Sequence, residues 1–180
     1  MLAGGYVNNF LAEDYKRFRD GRALAGALAG ELQSHGEAIP WIKAGLENME
    51  KGLRDGHKLT LPEWPSPPSP LFDENAGKIG LLGPTMSGDV AYVYENLRAF
   101  RQSFHQLSKN HETMPVEWSR ASITGCLAAI TRAETRGAQL ILNLKNHAES
   151  RYWNLPETGM QLKWAGVGLV AFLIVLKLFA

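Results

Sequence analysis

Apolar side chains recur along most of this chain at the three- and four-residue steps of a helix, and runs of proline and glycine break the pattern into segments. Leu11, Tyr15, Phe18, Ala25, Ala29 and Leu32 lie on one stripe and predict a first helix from about Asn8 to Ser34, with Lys16, Arg17, Arg19, Asp20 and Glu31 on its wetter faces. Ile39, Ile42, Leu46, Met49 and Leu53 continue at helical steps; with Pro40 in a first turn and Gly56 as a stop, they predict a second helix. Joined near His35-Gly36, the two form an expected antiparallel hairpin.

Pro62, Pro65, Pro67, Pro68 and Pro70, interleaved with Trp64, Ser66 and Ser69, follow. Fixed φ angles and missing N–H donors exclude a helix here and favour an extended path, so residues 62–70 read as a stiff linker crossing the bundle. Beyond it, Pro84 and Ser87 introduce a third helix with its stripe on Val90, Val93, Leu97, Phe100, Phe104 and Leu107, ending near Lys109 to Glu112. Thr85 or Ser87 is its expected N-cap. Pro115 starts a fourth, with Ile123, Leu127, Ile130, Gly137, Ile141 and Leu144 inward, running on past Arg151-Tyr152-Trp153 towards Pro156. No segment alternates as a strand does. The expected fold is all-α: two helical hairpins in a four-helix bundle or a similar arrangement, over residues 1–156.

The closing stretch differs. From Trp164 to Ala180 only Lys177 is charged, and Gly159 to Leu162 extends the apolar run upstream across Lys163. Apolar residues cover every face, unlike the single stripes before. Trp164, Leu169, Phe172, Leu173, Ile174 and Leu176 are therefore assigned to a transmembrane anchor over 160–180, with Lys177 snorkelling to the headgroups. Lys145, Arg151 and Lys163 on the N-terminal flank place the helical domain in the cytoplasm by the positive-inside tendency, giving a single-pass, tail-anchored topology. The opening residues, with no positive charge and with Gly4, Gly5, Asn8 and Asn9 among them, do not read as a signal peptide.

Composition narrows function mainly by exclusion. Nineteen Lys and Arg against eighteen Asp and Glu leave a formal charge of +1, which supplies no field for nucleic acid. The lone Cys126 sits on an apolar stripe and reads as a core residue. His35, His57, His105, His111 and His147 are scattered without ligand spacing, and His147-Ala148-Glu149 lacks the Pro-Cys-x-x-Cys partner of a zinc deaminase, so no metal is expected. Nucleophile-elbow, P-loop and dinucleotide fingerprints are missing from the sequence. The glycine-rich stretch from Gly80 to Asp89 reads as turn and cap. A non-enzymatic protein without a cofactor is expected.

Two features point to binding. Gly26 and Gly30, in the Gly21 to Gly30 run of small residues, form a small-x-x-x-small pair suited to close helix packing, chiefly within the bundle. Trp64, Pro65 and Pro68 belong to overlapping P-x-x-P patterns, a candidate ligand for an aromatic groove. The leading expectation is a membrane-tethered interaction or scaffold module whose partners are the lipid membrane and either another protein or a second copy. The alternative is a sensor with a ligand in the bundle among Trp41, Trp118, Tyr92, Tyr94 and Phe100, for which an apolar cavity would be the mark.

The segment Phe72-x-x-Asn75-x-x-x-Ile79-Gly80-Leu81-Leu82, followed by Tyr92 and Tyr94, resembles a loose family of uncharacterised bacterial and phage membrane-anchored helical proteins. The likeness covers roughly Arg19 to Leu107. It implies membrane association and a helical domain but no activity, and members often carry their hydrophobic helix near the amino end, whereas this chain has its apolar run at the carboxyl end. From the residues alone, Phe72, Ile79, Leu81 and Leu82 read as plugs for one end of the bundle, Gly77 and Gly80 as turns, and Asn75 as a cap or bridge of local backbone.

Overall fold

The computed structural model describes residues 2–152, with side chains from residue 12 onward. It is helical throughout its regular elements: α1 (Leu2–Arg54), α2 (Pro70–Asn75) continuing into a 3-10 helix (Ala76–Leu82), α3 (Pro84–Asn110) and α4 (Val116–Glu149). No strand occurs among the described residues. Two compact units divide the chain, one of residues 20–148 and one of residues 1–19 with 149–180. The predicted anchor over 160–180 lies outside the described residues, and among the described residues no helix is long and apolar enough to cross a membrane.

The first predicted hairpin is replaced by a single helix. α1 passes through His35-Gly36 and keeps Pro40 inside it. Ala25, Leu32, Ile39, Leu46 and Leu53 are all buried and spaced seven apart, so the inward stripe crosses the expected turn without a change of phase. A turn at 35–36 would break that register; an uninterrupted helix loses one backbone hydrogen bond at Pro40 and keeps every core contact. The helix then ends as expected at Gly56, which takes φ 84°. The His57 amide donates to the Gly52 carbonyl and the Gly56 amide to Leu53, satisfying carbonyls the last turn leaves open.

In the larger unit, α1 and α3 run parallel and α4 runs antiparallel to both. Glu31 meets Tyr94 and His35 meets Arg101, while Lys43 pairs with Glu134 and Lys145 with Gln33. One core joins Leu28, Leu32 and Ile39 to Val90, Val93, Leu97, Leu140 and Leu144. A second joins Leu46 and Leu53 to Leu107, Ile123 and Cys126. Parallel helices need a long return, and the proline-rich segment supplies it. At about 3.1 Å per residue its extended path covers roughly 45 Å, against about 35 Å of helix between Arg54 and Glu31.

That return is strapped to α3. The Trp64 amide donates to Ser108 Oγ (3.0 Å) and His105 Nδ1 donates to the Trp64 carbonyl (2.7 Å). The Leu61 amide donates to His111 Nε2 (3.2 Å), and Arg101 donates to Ser69 Oγ (2.6 Å).

Several helix ends differ from expectation. α3 begins with Gly83 as its cap, at φ 82°, and Pro84 in the first turn. Thr85 and Ser87 therefore lie inside the helix, where Ser87 Oγ donates to the Pro84 carbonyl. Gly77 and Gly80 are part of the 3-10 helix, and neither has a positive φ. Asn75 does bridge local backbone, its amide donating to the Leu71 carbonyl. α4 stops at Glu149 and does not run on through Arg151. The Ala148 carbonyl near its end takes a hydrogen bond from Arg22 Nε (2.7 Å), a substitute for the next helical turn. In the smaller unit, Tyr152 is buried, donates to Asp14 (2.7 Å), and packs against the rings of Tyr15 and Phe18.

Candidate functional site

The close approach expected of Gly26 and Gly30 is made by another glycine of the same run. Gly30 is exposed with nothing near it, and a side chain on the exposed Gly26 would only touch Ala148. A Cβ on Gly21 would lie 2.9 Å from the Leu81 carbonyl oxygen, so that position is where the 3-10 helix presses on α1. Only a glycine permits this spacing without a shift.

Where α1, α2 and α3 meet, a polar cluster fixes the path of the strap. The Glu31 carboxylate accepts the Leu71 amide (3.0 Å), the Phe72 amide (3.2 Å) and the Tyr94 hydroxyl (2.7 Å). The two amides are free donors of the first turn of α2, so a carboxylate from α1 caps a helix about 40 positions further along the chain. Tyr94 is buried, its ring stacked on Phe72 at 4.0 Å between centroids. Burial, reinforced by the bond to Glu31, pushes its hydroxyl well above the ordinary tyrosine range.

Arg101 completes the cluster. One terminal nitrogen donates to Ser69 Oγ and the other lies 3.2 Å from His35 Nε2. Arginine can only donate, so His35 Nε2 is the acceptor and its proton sits on Nδ1. Burial, and then the neighbouring guanidinium, hold His35 below the usual imidazole range, keeping it neutral. Asp73 accepts from the Ser69 amide and faces Arg98 at 3.8 Å.

Beside this cluster an apolar groove of about 460 Å³ opens between α1 and α3. Its α1 wall is Ala38, Trp41, Ile42, Gly45 and Met49, its α3 wall Leu97, Phe100 and Phe104, and Leu46 and Ile130 lie at its base. Trp64 and Pro67 of the strap line it, with the Trp64 ring edge-on to Phe104 at 5.8 Å. Only His35 and Arg101 bring polar side chains. Gly45 has a negative φ and nothing within 4 Å of the place a Cβ would occupy, so neither strain nor packing requires a glycine there. A glycine inside a helix costs about 1 kcal/mol relative to alanine; here its effect is to leave the groove open.

Of the aromatics expected around a ligand, Trp41 and Phe100 line the groove, whereas Tyr94 belongs to the polar cluster and Tyr92 and Trp118 do not line it. Trp41, 83% exposed, stands at the mouth. Trp64 is half-exposed, and Pro65 and Pro68 are exposed on a strap whose neighbouring backbone is tied to α3. Met49, Gly45, His35 and Arg101 are additions that linear reading missed. The signal for Gly45 was available: a glycine alone among good helix formers, away from the small-residue run.

Cys126 is buried against the Phe100 carbonyl, and burial pushes its thiol up to about 11. Among the described residues no group of three or more His, Cys, Asp or Glu side chains is placed to hold a metal ion. No family model, no curated protein and no solved structure matches this chain.

Proposed function

We propose that this protein is a non-enzymatic binding module, tethered to a lipid membrane through residues 160–180, whose helical bundle takes an apolar small molecule in the groove between α1 and α3. The single observation that carries this reading is a concave, almost wholly apolar groove of about 460 Å³ between α1 and α3, within the 300–1,000 Å³ typical of small-molecule sites. It favours the sensor class over a scaffold, because a concave apolar recess suits a small ligand. The uniformly apolar run from Trp164 to Leu176 supports the tether.

The test uses the full chain in phospholipid nanodiscs and a neutral alkyl diazirine, with cross-linked peptides mapped by mass spectrometry. Labels are expected on residues 38–49 of α1 and 97–104 of α3, and Gly45→Phe, which fills the groove, should suppress them while leaving the circular dichroism spectrum unchanged. Labelling that ignores Gly45→Phe would count against the groove as a binding site. Recovery of the full chain in the supernatant without detergent or lipid would remove the tether from the proposal.

A further inference from the structure

We infer that the ligand of this groove is a long, unbranched single-chain molecule, such as a fatty alcohol, lying lengthwise between α1 and the proline-rich strap. The inference rests on the ligand-binding reading above and adds the shape of the ligand. The groove does not end at Met49. A second hollow of about 410 Å³ shares Gly45 and Met49 with it and continues past Asn48 and Gly52, beside residues 57–61 of the strap. Together the two are lined by one face of α1, at Ala38, Ile42, Gly45, Met49 and Gly52, in the three- and four-residue steps of a single stripe. At about 1.5 Å per residue that stripe runs about 21 Å.

The strap sets the other side of this slot. Its hydrogen bonds go to α3: Leu61 to His111, Trp64 to Ser108 and His105, and Ser69 to Arg101. Among the described residues no hydrogen bond joins residues 58–69 to α1, so none closes the seam between the two. Glycine keeps the α1 side clear: a Cβ on Gly45 would meet nothing within 4 Å, and one on Gly52 only the His57 Cβ at 4.0 Å. In the second hollow the polar lining residues Asn48, Lys58 and Thr60 are exposed, whereas Leu59 and Leu61 pack against the second core. At its opposite end the groove stops at Arg101, beyond which lies a polar hollow of about 240 Å³ where Ser69, Asp73, Arg98 and Arg101 are engaged with one another. An alkyl chain that outgrows the aromatic groove therefore extends towards Gly52. A compact ring system would fill the aromatic part alone, while a flexible chain buries methylenes along the whole slot, and the gain scales with the apolar area removed from water.

The experiment uses the full chain in phospholipid nanodiscs and two photoprobes built on hexadecan-1-ol, one with its diazirine beside the hydroxyl and one with it beside the terminal methyl. Phospholipid is in excess in every arm, so cross-links report the added free chain. One probe should mark residues 38–42 and 97–104, and its counterpart residues 48–52 and 57–61, whichever end of the chain enters first. Displacement of the neutral alkyl diazirine by hexadecan-1-ol and by octan-1-ol gives a second readout, and comparing the ratio of potencies between proteins cancels partition into the bilayer. Gly52→Phe should lower the hexadecan-1-ol to octan-1-ol ratio about tenfold, the equivalent of roughly two buried methylenes, because only the longer chain reaches that end. Gly30→Phe, at an exposed helical glycine outside the groove, should leave the ratio unchanged. Two probes that mark the same residues overturn lengthwise binding, while a labelled groove leaves the binding reading standing. A ratio unmoved by Gly52→Phe, or lowered equally by Gly30→Phe, overturns it as well. Failure of the groove to label with any probe sinks both.

Discussion

Replacing Glu31 by alanine tests whether one carboxylate organises the junction of α1, α2 and α3. It removes three hydrogen bonds at 2.7 to 3.2 Å, leaves two first-turn amides of α2 without their cap, and strands a buried Tyr94 hydroxyl. Bonds to charged groups contribute about 1.5–3 kcal/mol each, but three on one side chain are not additive and the amides regain water, so a loss of about 3 kcal/mol is expected. For a chain of this size that corresponds to a fall in Tm of roughly 6–12 °C. Thermal unfolding followed by circular dichroism reads it directly. Tyr94→Phe removes the hydroxyl alone, and the cycle through the double variant should return a coupling of about 1–2 kcal/mol between the two positions. A loss below about 0.5 kcal/mol for Glu31→Ala, or a cycle that closes with no coupling, would refute the claim that this carboxylate holds α2 in place.

Gly21→Ala places a Cβ against the Leu81 carbonyl, and the rigid backbone there should cost about 1–3 kcal/mol in urea denaturation, despite alanine's higher helix propensity; a stabilised variant would show that the 3-10 helix yields freely. Gly45→Ala, with open space around it, should do the reverse and add about 0.5–1 kcal/mol. Native Cys126 should resist iodoacetamide at neutral pH and react once urea exposes it, because burial both shields the thiol and raises its pKa to about 11; prompt native labelling would contradict that burial. His35 and His147 are both held below the usual imidazole range by burial and by Arg101 and Arg22 respectively. The unfolded chain therefore binds more protons as pH falls below about 6.5, and stability should decline from pH 7 towards pH 5. His35→Gln should flatten part of that slope, and an unchanged slope would remove His35 from the account.

How legible this molecule is in its sequence varies by element. The stripes of α3 and α4 were read correctly in phase, because each is set by local spacing: Val90, Val93, Leu97 and Leu107 are buried, as are Ile123, Ile130, Gly137 and Leu144. The stiff linker was also readable, since proline acts on its own backbone. Local breakers predict two helices where the structure has the single α1. Glycine and proline at 36 and 40 outweighed a seven-residue spacing that crossed them in register, although the cost of one missing N–H is smaller than that of disrupting a core.

The binding groove was harder to foresee. Trp41 and Phe100 line the groove and Tyr92, Tyr94 and Trp118 do not, a division hidden in the sequence because composition cannot tell which aromatics face one another across two helices. His35, His105 and His111 looked scattered because their partners are the return strap and Arg101, tens of residues away.

The sequence alone determined where helices can form, which face of each is apolar, and where an extended segment must lie, because those properties depend on steps of a few residues and on backbone chemistry. It also carries the apolar run on which the proposed tether depends. Tertiary structure decided that α1 and α3 run parallel, that Glu31 caps a helix distant in sequence, and that Arg101 stands between an apolar and a polar hollow. Those outcomes depend on how side chains from separate elements meet in space, and no local periodicity encodes that meeting.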